Sequence, residues 1–182
     1  MARLNIFNNF PLNDVALGRL AGASTLHIHY VYIPGSISFN NVNIIFSQGH
    51  TSASATISFG LYSLTGSTLS LANSASRAFN TNANGLSWIS LATSAVQDIT
   101  PGDWFFAFLS ASSGQNSISY AIHNTLSNNL TNVQLGGPFI RGVLTVGTAA
   151  LPASIATSDM RKEGNGSSTT NSTHQPYLLL SA

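Results

Sequence analysis

The stretch Thr56-Ile57-Ser58-Phe59-Gly60-Leu61-Tyr62-Ser63-Leu64, followed by Thr65-Gly66-Ser67 and then Thr68-Leu69-Ser70-Leu71, decides the fold class. Large apolar residues alternate with small or polar ones, so successive side chains point to opposite faces of a strand. Thr65-Gly66-Ser67 breaks the run with a glycine suited to a tight turn, and the alternation then resumes. That is the pattern of a β-hairpin. The same period extends outward in both directions. Leu26, Ile28, Tyr30 and Tyr32 alternate with His27, His29, Val31 and Ile33 until Pro34-Gly35. Ile37, Phe39 and Val42 to Phe46 give a further strand, with a bulge at Asn40-Asn41. Leu86 to Leu91 gives another, and Thr100-Pro101-Gly102-Asp103 is a turn in which Pro presets φ and Gly accepts a positive one. Trp104 to Leu109 is apolar at every position and belongs at the centre of a sheet. Strand signals recur at Ile118 to Ile122, Phe139-Ile140, Val143 to Val146 and Tyr177 to Leu180. Roughly eight or nine strands without an amphipathic helix point to an all-β, antiparallel β-sandwich of jelly-roll type.

Before that sandwich, residues 1–23 read differently. Asn8-Asn9-Phe10-Pro11-Leu12-Asn13-Asp14 is rich in turn formers, and Val15 to Leu20 reads as one short helical turn. Two readings stand side by side: a short N-terminal arm that docks on a partner, or a first edge strand with its loop. In the arm reading Ile6, Phe7, Phe10 and Leu12 are the attachment residues, because they need a partner to cover them. The sandwich domain then covers residues 24–182.

The composition narrows the function. Only 6% of the 182 residues are charged, against about 25% in an average soluble protein, and the formal net charge is +1. Ser, Thr and Asn together number 61. A disordered charged tail and a heptad coiled coil are excluded, and so is a basic nucleic-acid binder. With no cysteine, disulfides, thiol nucleophiles and thiolate metal sites are ruled out. The longest wholly apolar run is far short of the roughly 20 residues that span a bilayer, so no membrane insertion is expected. Asn5, Asn8 and Asn9 interrupt any signal-peptide core, so synthesis in a cytoplasm without signal-directed export is expected. A neutral, hydroxyl-rich surface has little self-repulsion; it suits a protein that packs beside copies of itself or touches glycans.

Chemistry-bearing motifs are sparse. No Gly-x-Ser-x-Gly elbow, His-Glu-x-x-His or Walker loop occurs. Four Asp and one Glu leave few carboxylate pairs, and a triad from Asp98 or Asp103, His123 and a serine would be a chance assembly. No catalytic residue and no cofactor are expected. His27 and His29 project from one strand face about 6–7 Å apart, which is a two-ligand metal arrangement if His50, His123 or a symmetry copy completes it. The plainer and preferred reading is two imidazoles on a polar face, bonded to neighbours. Three Asn-x-Ser/Thr sequons are no more than chance gives at this Asn, Ser and Thr content. Trp88, Trp104, Tyr30, Tyr32 and Tyr62 could stack on sugars, but Trp88 and Trp104 are expected in a core, and Tyr30 and Tyr32 packed against a core or a neighbouring copy.

Four phrases carry a resemblance. They are Gly60-Leu61-Tyr62-Ser63 with Gly66 to Leu71; Ile99-Thr100-Pro101-Gly102-Asp103-Trp104; Ala150 to Asp159; and Pro176 to Ala182. Together they resemble a loosely defined group of β-rich virion-surface proteins of tailed bacteriophages: head decorations, head fibres and tail-fibre domains. The resemblance spans about residues 25–182 and rests on turn-and-strand phrases, so it carries no catalytic residue. It implies a homotrimer on the virion surface, with the major capsid protein or another virion protein as partner. Only about 23 residues precede the domain and there is no fibrous shaft. The first expectation is therefore a capsid decoration (cement) protein bound to the outside of the head. The alternative is a tail or head fibre receptor-binding protein that recognises host surface glycan. A third reading, an accessory module of a carbohydrate-active enzyme, predicts binding to free polysaccharide without any virion.

Overall fold

The computed structural model describes residues 6–8, 15–19, 25–48, 54–80, 85–112, 119–123, 141–148, 150–163, 175–176 and 178–181. Among them there are fourteen strands and no helix, and every strand pairing is antiparallel. The first sheet contains β1 (Ile6–Asn8), β2 (Val15–Arg19), β4 (Ile37–Gln48), β7 (Gly85–Ile99), β9 (Ser119–His123), β13 (Gln175–Pro176) and β14 (Leu178–Ser181). The second contains β3 (Thr25–Ile33), β5 (Ser54–Thr65), β6 (Thr68–Asn80), β8 (Gly102–Ser112), β10 (Arg141–Thr145), β11 (Ser154–Ala156) and β12 (Arg161–Glu163). The two sheets form an all-β sandwich.

The hairpin that decides the fold class is β5–β6, turning at Gly66 with φ +60°. The Trp104 to Leu109 run lies in β8, flanked by β5 and β3. That central place explains why both of its faces are apolar. Phe106 and Phe108 face the sheet-to-sheet core with Phe59, Ile57, Phe39, Ile44 and Leu91. Phe105, Ala107 and Leu109 face a separate cluster with Leu26, Ile28, Tyr62, Leu69, Ile155 and Met160.

That second cluster lies within a curl of its own sheet. The strand order is β11-β6-β5-β8-β3-β10-β12, which puts β11 and β12 at opposite edges. Laid flat, six strand spacings would separate them by about 29 Å. Yet only the link from Ala156 to Arg161 joins them, and that length of chain spans at most about 18 Å. The sheet must therefore curl into a half-barrel. Its convex face meets the first sheet, and its concave face encloses the second cluster. Residues 146–148 and 150–160 plug the concave side with Val146, Leu151, Ile155 and Met160. Besides the β11–β6 ladder, the plug is held where Tyr62 Oη donates to the Pro152 carbonyl at 2.8 Å, Leu71 N to the Ala153 carbonyl at 2.9 Å, and Thr157 N to the Ser67 carbonyl at 2.8 Å.

Several expectations change. Val15–Arg19 is not a helical turn but a strand beside β9, because ladder bonds to a neighbour outweigh a weak local helical preference. Of the N-terminal segment, Ile6–Asn8 pairs with β14 and Val15–Arg19 with β9 in the first sheet. The bulge at Asn40 is real, but its extra residues are on the other strand. Phe39 pairs with Gln97 and Asn41 with Ala92, so Thr93, Ser94, Ala95 and Val96 stand opposite Asn40 alone.

Candidate functional site

At one end of the sandwich the chain changes sheet twice, side by side. Pro34-Gly35-Ser36 carries it from β3 to β4, and Thr100-Pro101 carries it from β7 to β8. Because β3 pairs with β8 and β4 with β7, Ile33 meets Gly102 and Ile37 meets Ile99, so the two corners are neighbours. Pro34, Ser36, Thr100 and Pro101 are all exposed. Trp104 is half-buried against the sheet-to-sheet core, and its Nε1 donates to the Thr100 carbonyl at 2.9 Å, which fixes the second corner.

Two residues of the half-barrel's concave face are exposed at this end. Tyr32 and Asp103 stand directly opposite each other across β3 and β8. Tyr32 is 57% exposed, and Asp103 is exposed too. One register step inward, Tyr30 is buried, and its hydroxyl donates to Asp103 Oδ1 at 2.6 Å. The Tyr30 ring meets Phe105 edge-on with centroids 5.6 Å apart. On the other sheet Ser38 Oγ donates to Asp98.

Both buried tyrosines hold their protons more tightly than usual. Burial pushes the Tyr30 hydroxyl up, and the hydrogen bond and negative charge of Asp103 add to it. Tyr62 is raised by burial alone. The unfolded chain releases these protons near the ordinary phenol value of about 10, whereas the folded chain keeps them. The stability they contribute is therefore complete below about pH 10 and declines as pH rises beyond it, by at most about 1.4 kcal/mol per pH unit for each tyrosine. Tyr62 carries the larger share, because the Tyr30–Asp103 pair is screened by solvent. Urea midpoints between about pH 8 and 11 should show this decline, and Tyr62→Phe should flatten it. An identical slope in Tyr62→Phe would rule the explanation out.

The residues singled out from sequence fall as follows. His27 and His29 are each 2% exposed and lie on the face shared with Val31 and Ile33, so the strand face expected to be polar is part of the interior. The His29 ring lies 6.3 Å from that of Phe108. Among the described residues, no group of three or more His, Asp or Glu side chains is placed to hold a metal. Ile6 and Phe7 belong to β1, opposite Ser181 and Leu180. Phe10, Leu12 and His50 lie outside the described residues, as do the side chains of Ile6, Phe7, Trp88 and His123. Tyr30 and Tyr62 are buried, while Tyr32 is exposed in the single chain. An open groove of about 520 Å³ also lies between β6, β7 and the plug, lined by Ser58, Ser74, Ser76, Ser94, Leu71 and Leu151 among others. Its lining has no titratable group.

No protein-family model matches the chain, and no curated protein sequence matches it.

Proposed function

We propose that this chain is a structural virion protein of a tailed bacteriophage: a capsid decoration protein that binds the outside of the head and stabilises it, as a homotrimer of jelly-roll-type sandwiches. One observation carries the reading beyond sequence likeness. Two of the four phrases that resemble virion-surface proteins form a single physical unit, because the Ala150 to Asp159 phrase is the plug and the Gly60 to Leu71 phrase is the hairpin it is bonded to. The neutral, hydroxyl-rich composition supports dense packing of copies on a shell, and binding only the assembled head stabilises it by mass action. No catalytic role is part of the proposal.

Attachment is assigned to Ile6, Phe7, Phe10 and Leu12. Deleting residues 1–23 would also remove β1 and β2 from the first sheet, so point substitutions are the cleaner probe. Phe10→Ser with Leu12→Ser should leave the circular dichroism spectrum unchanged and abolish binding to heads lacking the protein. Normal decoration by that variant would remove the attachment role from these residues.

The alternative, a fibre that recognises host glycan, is favoured by one observation, the exposed Tyr32 ring beside Asp103.

A further inference from the structure

The geometry points to a neutral-saccharide site at the mouth of the half-barrel, with the Tyr32 ring as stacking surface and the Asp103 carboxylate as hydroxyl acceptor. It rests on the glycan-recognition reading and not on head decoration.

Two uncommon features coincide there. Among the described residues the exposed large apolar side chains are Tyr32 and Val96, and the whole chain has only four Asp and one Glu. One of those few carboxylates stands directly across from the one exposed aromatic ring of this pair. A pyranose has a face of C–H bonds and a rim of hydroxyls. The negative face of an aromatic ring attracts the C–H face, and a carboxylate accepts hydrogen bonds from neighbouring hydroxyls. Asp103 has acceptor capacity beyond its bond from Tyr30, since a carboxylate offers about four lone-pair positions.

The site is also held in shape. Tyr30 fixes the Asp103 rotamer from a buried position, and Pro101 with the Trp104–Thr100 bond fixes the corner before it. Groups ordered in advance lose less freedom on binding. Barrel mouths are common places for small ligands. The hydroxyls of exposed Ser36 and Thr100 lie on the adjoining corners and extend the polar rim. A lysine of a protein partner could use the same ring and carboxylate, but through charge, and salt separates the two cases.

The test is retention of the full-length protein on immobilised dextran, mannan and galactan. Retention is expected on at least one of them, unchanged up to about 0.5 M NaCl. Tyr32→Ala and Asp103→Ala should each weaken it at least about tenfold, while Tyr32→Phe, which keeps the ring, stays within about twofold. Tyr32 is at the surface, so its variants should keep the wild-type circular dichroism spectrum. No retention on any of the three, retention unaffected by Tyr32→Ala, or retention that collapses in salt would each overturn the site. Head binding by the same variants is measured in parallel. Failure of decoration leaves the retention result standing, and failure of retention leaves decoration standing.

Discussion

Phe59→Ala is expected to lower the unfolding free energy by about 3–5 kcal/mol, the largest single-residue effect anticipated in this chain. Phe59 is fully buried at the centre of the sheet-to-sheet core. Its ring stacks on Phe106 with centroids 5.4 Å apart and meets Phe108, its cross-strand partner, at 5.7 Å. Truncation removes the transfer free energy of a phenyl ring and leaves a cavity that the paired strands cannot close. For a chain of this length the melting temperature should fall by about 6–20 °C. Val96→Ala, at a site 62% exposed, is the control and should stay within about 0.5 kcal/mol. A loss below about 1 kcal/mol at Phe59 would mean that the two sheets do not pack through this aromatic trio.

Gly60→Ala should destabilise by about 1–3 kcal/mol even though it adds a single methyl group. The new Cβ would lie 2.7 Å from Tyr62 Cε2, 3.1 Å from Leu71 Cδ1 and 3.2 Å from Leu151 Cδ1. The Tyr62 ring leans back over Gly60, and the plug's Leu151 covers the same spot, so there is no free volume. A bulkier Gly60→Val should lever the plug outward. The readout is faster tryptic cleavage at Arg161 and Lys162, just past the plug. Wild-type cleavage rates in Gly60→Val would show that the plug does not rest on this glycine.

These two sites mark how far the sequence could be read. Alternation through Thr56 to Leu71 and the apolar run of Trp104 to Leu109 identify a hairpin and a central strand, because strand period and burial are written locally. The curl is not local. It follows from the pairing of Ile155 with Leu69 at one edge and of Lys162 with Gly142 at the other, and no window of sequence contains both. His27 and His29 read as a polar face in the sequence but are interior for the same reason: a half-barrel packed on both sides has no polar face at its centre. Asn73 to Asn80 and Ala92 to Gln97 carry no alternation of large apolar residues, yet they continue β6 and β7. Exposed strand positions tolerate polar side chains. At the candidate site, Pro101 and Gly102 announce the corner in sequence. The exposure of Tyr32, at the end of a strand face that is otherwise buried, is not registered by periodicity.

The central claim, that the chain decorates a phage head, is tested most directly by counting its copies in purified particles against the major capsid protein with isotope-labelled peptide standards. Decoration requires on the order of hundreds of copies in a fixed symmetric ratio to the shell. A handful of copies per particle would contradict it and assign the chain to a fibre, and its absence from particles would remove it from the virion altogether.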